Sequence, residues 1–398
     1  MKKLLCFLLI ASGIQCRERY DVFIKAGTRD LLVVEGFING KGKSKINLTR
    51  TTSLSEKSIV PVTRGVLRIE GEDQSINYLY ETSDGVYVTD SIMLNPDVKH
   101  RLRIFLDEGS KEYETDFRKI IQTPAIDSIS YFYHNETVDF FAHSQNSADH
   151  SIFYKWDYAE TWEFRSPFRA KLQYKITGEG NNAKYEIEWY DPVNRSYNDS
   201  IYVCWKDNQS TGIILGSAAL QIDEAIRLPV RTLPRNAWQL SFLYSILVTQ
   251  FGLQADAYEF YRRMKKNSET LGTIFDAQPS ELVGNIRAVT NPSEKVIGFV
   301  EFCTVSEKRI FVWGRDLPGT PYDPDCEYWE ELDPLFPEYP YENDPEVIIQ
   351  VYKHRGLIPT VPEYTDPLTR EVLTFYAERP RCVDCTMHGS NIKPEFWP

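Results

Sequence analysis

Beyond its first residues the sequence lacks a long apolar run. No later stretch approaches the roughly eighteen apolar residues of a bilayer-crossing helix, and none is expected. It also lacks an excess of cations: 45 Lys and Arg stand against 57 Asp and Glu, a formal charge of −12. Without a basic stripe a nucleic-acid partner is excluded, because phosphate binding needs clustered Lys and Arg. Histidine is scarce at six, and no two form an HExxH or an i, i+4 pair. There is no GxSxG elbow, P-loop or GxGxxG, so acyl transfer, nucleoside triphosphate hydrolysis and nicotinamide binding lack their usual carriers. Acids do crowd one stretch, at Asp323, Asp325, Glu327, Glu330, Glu331 and Asp333. They lack the turn glycine of a calcium loop, and a solvated acidic loop explains them more simply than a glycosidase pair. The reading is of a chain with no catalytic residue, no metal site and no cofactor.

What is present is aromatic. Phe, Trp and Tyr make up 13 % of 398 residues, including 24 Tyr and 8 Trp. Most lie in strand-like runs, where such side chains are favoured. Trp156, Trp162, Trp189 and Trp205 fit either a ligand groove or a strand core.

The N-terminus carries a processing pattern. Lys2 and Lys3 precede the apolar run Leu4 to Ile10, which is of signal-peptide length and ends in Ala11-Ser12-Gly13-Ile14-Gln15-Cys16. Residues 1–15 read as a lipoprotein signal and Cys16 as the lipidated first mature residue, with 16–30 as a tether. Dual acylation gives a stable membrane anchor where one chain does not. Gln15 stands where a lipobox has a small residue, so ordinary secretion with cleavage after Ala11 or Gly13 is the alternative.

With Cys6 removed and Cys16 acylated, Cys204, Cys303, Cys326, Cys382 and Cys385 remain. Export permits disulfides, and five is odd, so at least one thiol stays free or pairs outside the chain. Cys382-Val383-Asp384-Cys385 is a CxxC, but it sits in a tail with Pro380 before it and Gly389 after it. A redox site needs a helix N-terminus, and a zinc site needs a second close pair. One disulfide or a pair of them pinning the tail is the expectation.

About seven short strands with regular turns fill residues 31–123, the pattern of an immunoglobulin-like β-sandwich. Thr123-Pro124 marks a boundary, and 124–398 reads as a larger β-rich (α+β) domain. Its strands include Ser151 to Phe164, Ile201 to Trp205 and Arg309 to Trp313. Gly284 to Val289 and Val296 to Phe302 are expected to pair with each other, turning at Asn291-Pro292. One amphipathic helix near 241–268 braces this domain, with Leu253, Ala257, Phe260, Tyr261 and Met264 on one face. Proline and acids dominate Leu317 to Pro367, read as long surface loops that make contacts. Trp329, Tyr339, Tyr341 and Tyr352 are the candidate partner or ligand contacts there.

Several pieces together resemble a known family. They are Gly272 to Asp276, Gln278-Pro279-Ser280, Gly284-Asn285-Ile286, Asn291-Pro292, Ile297-Gly298-Phe299 and Trp156 with Glu160 to Glu163. The tail adds Cys382 to Cys385, Gly389, Asn391, Lys393-Pro394 and Phe396-Trp397. The chain is similar, from about Leu31 to Trp397, to the Bacteroidota outer-membrane lipoproteins classed as domain of unknown function 4249. The resemblance implies a surface lipoprotein beside a TonB-dependent outer-membrane receptor. Arg17-Glu18-Arg19 is mixed in charge rather than an acidic export signal. The expected function is a non-enzymatic accessory subunit of an outer-membrane β-barrel, lipid-anchored and facing the cell surface. It would be the lid or partner of a TonB-dependent transporter, or alternatively a scaffold in an outer-membrane assembly or secretion complex.

Overall fold

The computed structural model describes residues 31–52, 59–144, 153–178, 184–217, 228–269, 282–326, 349 and 353–398. The first module contains β1 (Leu32–Asn39), β2 (Lys41–Gly42), β3 (Lys45–Arg50), β4 (Val60–Pro61), β5 (Val66–Gly71), β6 (Ile76–Ser83), β7 (Val86–Val88), β8 (Ile92–Met93), β9 (His100–Leu106) and β10 (Lys111–Thr115). Alternation along β3 and β9 turns Ile46, Leu48, Leu102 and Ile104 inward, as a half-buried antiparallel sheet requires. The second module follows with β11 (Ile126–His134), β12 (Thr137–Ser144), β13 (Phe153–Arg165), β14 (Leu172–Thr177), β15 (Lys184–Trp189), β16 (Val203–Gln209), β17 (Ile214–Ser217), β18 (Leu228–Pro234) and β19 (Leu243–Leu253). Then come helix α1 (Ala255–Glu269), β20 (Ile286–Ala288), β21 (Val296–Cys303), β22 (Val305–Trp313), β23 (Ile358–Thr365) and β24 (Val372–Glu378). The fold is mainly β and sandwich-like, as expected.

The first module is not built from residues 31–123 alone. Its sheet runs β20-β10-β9-β5-β6-β7-β3-β1-β21, with β4 beside β3, so both ends come from late in the chain. β20 and β21 therefore do not pair with each other. β20 joins β10 antiparallel, and β21 joins β1 parallel from Leu32↔Val296 to Asn39↔Cys303. Val300 and Phe302 complete the same core as Leu32, Leu48, Leu67 and Tyr113. Asn285 closes the wrap, because its side-chain amide stands in for a strand. Val300 N donates to Asn285 Oδ1 at 2.9 Å, and Asn285 Nδ2 donates to Val300 O at 2.8 Å. Two glycines permit the approach. A Cβ on Gly284 would lie 1.7 Å from Gly298 O, and one on Gly298 (φ +122°) would lie 1.8 Å from Val34 O.

This register gives the molecule a direction. The chain enters at the Leu32 end of β1. At the other end, next to Asn39 and Cys303, it passes into the second module. There Ile121 N bonds Phe302 O at 2.9 Å and Thr123 N bonds Thr304 Oγ1 at 2.8 Å. Eight extended residues, about 25 Å, separate the two poles.

In the second module β13 lies between β16 and β19, with β17 beside its start and β22 beyond β19. Even-numbered residues of β13 and β19, among them Trp156, Trp162, Tyr244, Ile246 and Val248, enter a core shared with β11, β12 and β18. Residues 243–253 are strand rather than the start of the helix. Their sequence, LYSILVTQFGL, is buried along nearly its whole length, so neither period shows. The helix begins at Ala255, and its face holds: Ala257, Phe260 and Tyr261 are buried, with Met264 packed beside them. The stretch read as loops up to Pro367 ends in strand, since Ile358–Thr365 pairs with Val372–Glu378.

Candidate functional site

β13 carries the chain thirteen residues, about 40 Å, from the module junction to Arg165. Beyond that end the two remaining hairpins lie side by side. Lys171 N donates to Thr360 O at 2.6 Å, and Tyr174 Oη donates to Leu357 O at 2.9 Å. Phe168 N donates to Cys382 O at 3.0 Å, which ties the tail to the same corner.

The tail cysteines are both oxidised, but not to each other. Cys382 bonds Cys326, and Cys385 bonds Cys204 on β16. Cys303 is the odd thiol, free and buried. A short turn of helix, Pro380–Val383, spaces the two bonds, with Cys382, Val383 and Cys385 all buried. The Cys326–Cys382 bond ties a point within the proline- and acid-rich stretch to the tail that follows β24.

From Cys385 the tail wraps the edge of the sheet. Ser390 exchanges both backbone hydrogen bonds with Trp205 of β16, at 2.7 and 2.9 Å. Trp397 then seats on the opposite face against Trp205 and Phe311, and its Nε1 donates to Glu163 Oε2 at 3.1 Å. Arg309 lies over the Phe396 ring at 3.7 Å. Gly389 makes the crossing possible, since a Cβ there would lie 2.4 Å from Trp205 O and 2.8 Å from the Phe164 ring. Covering an edge strand in this way removes a template for unwanted pairing.

The hairpins present apolar residues to solvent: Ile176 on β14, Tyr364 on β23, Leu373 and Tyr376 on β24, and Leu368 in the turn between the last two. Leu368 is 92 % exposed and held in place, because Asp366 Oδ1 accepts from the backbone N–H groups of Leu368 and Thr369 at 2.7 and 2.8 Å. Sequence reasoning missed these residues. The available signal was a leucine inside a turn of polar residues, Asp366-Pro367-Leu368-Thr369.

Trp329, Tyr339, Tyr341 and Tyr352 lie outside the described residues, as do Cys16 and the acids from Glu327 to Asp333. The four tryptophans do not line a groove together. Trp156 and Trp162 are core, with Trp156 Nε1 bonded to Gln250 Oε1 at 2.8 Å. Trp205 meets the tail, and Trp189 lies under Arg195 on the outer hairpin.

One buried polar cluster invites a chemical reading and is structural instead. Glu160 is fully buried and accepts four hydrogen bonds. Arg231 donates through Nε and Nη2 at 3.1 and 3.0 Å, Asn208 Nδ2 at 2.7 Å and Tyr244 Oη at 2.7 Å. Burial raises the Tyr244 pKa well above its ordinary value, and Glu160 adds to this. Burial opposes the Arg231 charge, but Glu160 outweighs it and raises that pKa. Both carboxylate oxygens have two donors each and Glu160 itself is closed off from solvent, so the cluster specifies packing. Among the described residues no group of three or more His, Cys, Asp and Glu side chains could hold a metal ion. Among the same residues no helix is long and apolar enough to cross a membrane.

The family profile described as domain of unknown function (DUF4249) matches residues 17–309. The chain belongs to the DUF4249 family. The DUF4249 match takes in the Gly284–Asn285–Gly298 closure and ends inside β22, so the stapled tail that adds to the resemblance lies beyond it. No curated protein matches the chain. Among solved structures, a two fibronectin type-III domain segment from chicken tenascin is 9 % identical, covering 56 % of this chain and 91 % of that one, with a TM-score of 0.17. The Yersinia pseudotuberculosis adhesin InvE is 10 % identical over 56 % and 57 %, with a TM-score of 0.14. A putative carbohydrate binding protein from Bacteroides uniformis is 8 % identical over 57 % and 92 %, with a TM-score of 0.13. Similarity at this level carries no inference about what a DUF4249 chain binds.

Proposed function

We propose that this protein is a non-enzymatic lipoprotein of the outer membrane, anchored through Cys16, that serves as accessory subunit of a β-barrel membrane protein. The partner we favour is a TonB-dependent transporter engaged in nutrient uptake. One observation supports this reading above others, the direction of the molecule. The tether enters at one pole of the first module, and the second module begins at the opposite pole. The outer hairpins with their exposed apolar residues, beside the disulfide-bonded tail, lie a further long strand away. An anchor, a spacer and a rigid contact end are the parts a membrane-bound partner subunit needs. The alternative is a scaffold lipoprotein of an assembly or secretion complex, and the same experiment separates the two.

That experiment is a mild-detergent pull-down of the tagged full-length protein from its own outer membrane, with partners identified by mass. A single TonB-dependent receptor is the expected result. An assembly or secretion barrel with several other lipoproteins would replace the transporter reading with the scaffold one. Recovery of no barrel at all would sink both. The anchor is tested separately: Cys16→Ser should release the protein from the membrane fraction, and continued membrane binding would reject lipidation.

A further inference from the structure

Between the two modules, under α1, lies a small set of ionisable groups that the proposed function does not use. Phe299, Glu301 and Cys303 of β21 alternate with the sandwich-core residues Val300 and Phe302, so they project toward the second module. β13 brings Lys155 and Asp157 to the same seam, and α1 brings Tyr261. Lys155 Nζ donates to Asp157 Oδ2 at 3.2 Å and lies 5.0 Å and 5.1 Å from the ring centroids of Phe251 and Tyr261. Glu301 is buried, and its Oε1 has no hydrogen-bond partner. One ammonium thus serves two carboxyls, and its hydrogen bond goes to Asp157.

The charged and titratable neighbours are Lys155 and Asp157 from β13, Tyr261 from α1, Glu35 from β1 on the Tyr261 side, Cys303 on β21 itself, and Arg118, which lies 5.1 Å from the Phe299 ring centroid and pairs with Asp256 at the start of α1. β19 contributes apolar Phe251 and Leu253 to the same cluster. Burial pushes Glu301 up to about 7, against the pull of Lys155 and the Tyr261 hydroxyl. Burial opposes the Lys155 charge, but Glu301 and Asp157 outweigh it and raise that pKa. Burial and the Glu301 carboxyl raise both Tyr261 and Cys303, so these stay protonated at neutral pH. Glu301 is therefore the member of the cluster whose charge changes near neutrality.

We propose that Lys155, Asp157 and Glu301 form a proton-operated latch between the two modules. With Glu301 neutral, α1 stays seated with Phe260 and Tyr261 against Phe299. With Glu301 ionised, a buried carboxylate with the Tyr261 hydroxyl beside it but one oxygen unpartnered must draw Lys155 from Asp157 or admit water, and lifting α1 admits it. The inference stands on the seam alone and does not depend on the anchoring reading.

The test is hydrogen exchange of the full mature chain at about pH 5.5 and about pH 8.5, corrected for intrinsic exchange. In the wild type, peptides covering 255–269 should lose about tenfold in protection at the higher pH. Glu301→Gln should hold helix protection constant across the range. Equal helix protection in the wild type at both pH values would overturn the latch, and so would an unchanged loss in Glu301→Gln. If that variant does not fold, Asp157→Asn decides. Freeing Lys155 for Glu301 should abolish the loss, and a wild-type loss in Asp157→Asn would overturn the proposal.

Discussion

The two disulfides differ in the length of chain they close, and that difference predicts their relative worth. Cys204 and Cys385 are separated by 181 residues, Cys326 and Cys382 by 56. In the chain-entropy account a cross-link stabilises by restricting the unfolded chain, and the gain grows as 1.5RT times the logarithm of loop length. The longer loop is then worth about 5 kcal/mol and the shorter about 4 kcal/mol, a difference of about 1 kcal/mol. The perturbation is to replace each pair with alanine, Cys204→Ala/Cys385→Ala in one protein and Cys326→Ala/Cys382→Ala in another. Urea unfolding followed by tryptophan fluorescence reads both, because Trp162 and Trp205 lie close to the tail. The Cys204/Cys385 variant should have the lower midpoint by the equivalent of about 1 kcal/mol. A reversed order would refute the reasoning and place the stabilisation in local packing of the Cys326–Cys382 corner.

Three further outcomes are expected. Arg231→Met strands the buried Glu160 carboxylate and should cost about 3–5 kcal/mol in thermal unfolding, whereas Glu160→Met/Arg231→Met should recover at least half of it; additive losses would show that the two residues are not coupled. Gly298→Ala should cost more than about 4 kcal/mol, against about 1–2 kcal/mol for Gly109→Ala, since both have positive φ but only Gly298 has backbone where the Cβ would go. Stability should also fall with rising pH: Glu301, held at about 7 against an ordinary 4.5, contributes fully below 4.5 and loses about 3 kcal/mol as pH rises through 7, a slope that Glu301→Gln should remove.

The antiparallel parts of the first module were legible because β3 and β9 alternate cleanly and turns separate their neighbours. The buried face of α1 was legible for the equivalent reason, with Ala257, Phe260, Tyr261 and Met264 falling at steps of three or four. The strand before it was not. A central strand covered on both faces has no polar side to show, and its run joined the helical one. The pairing of β1 with β21 was beyond local reading, because a parallel partner far along the chain leaves no mark on either segment. Gly284, Asn285 and Gly298 were visible as pieces of a resemblance, and the structure supplies their physical reason in a close backbone approach and an amide closure. At least one cysteine left free or pairing outside the chain was expected, and Cys303 is the free one, but Cys382 and Cys385 each bond a distant partner that spacing does not reveal. The residues read as contacts, Trp329, Tyr339, Tyr341 and Tyr352, lie outside the described residues, and the exposed leucines and tyrosines on the outer hairpins had no pattern of their own.

The return of β20 and β21 to the first sheet sets the order in which the protein can be finished. During synthesis the leading sandwich emerges with β1 open along one edge and its core short of Ile286, Ala288, Val300 and Phe302. Its core stays incomplete while everything between Thr115 and Ile286 is made. A fragment cut at the apparent boundary near Thr123 would keep that open edge permanently, so the two modules are not separable pieces.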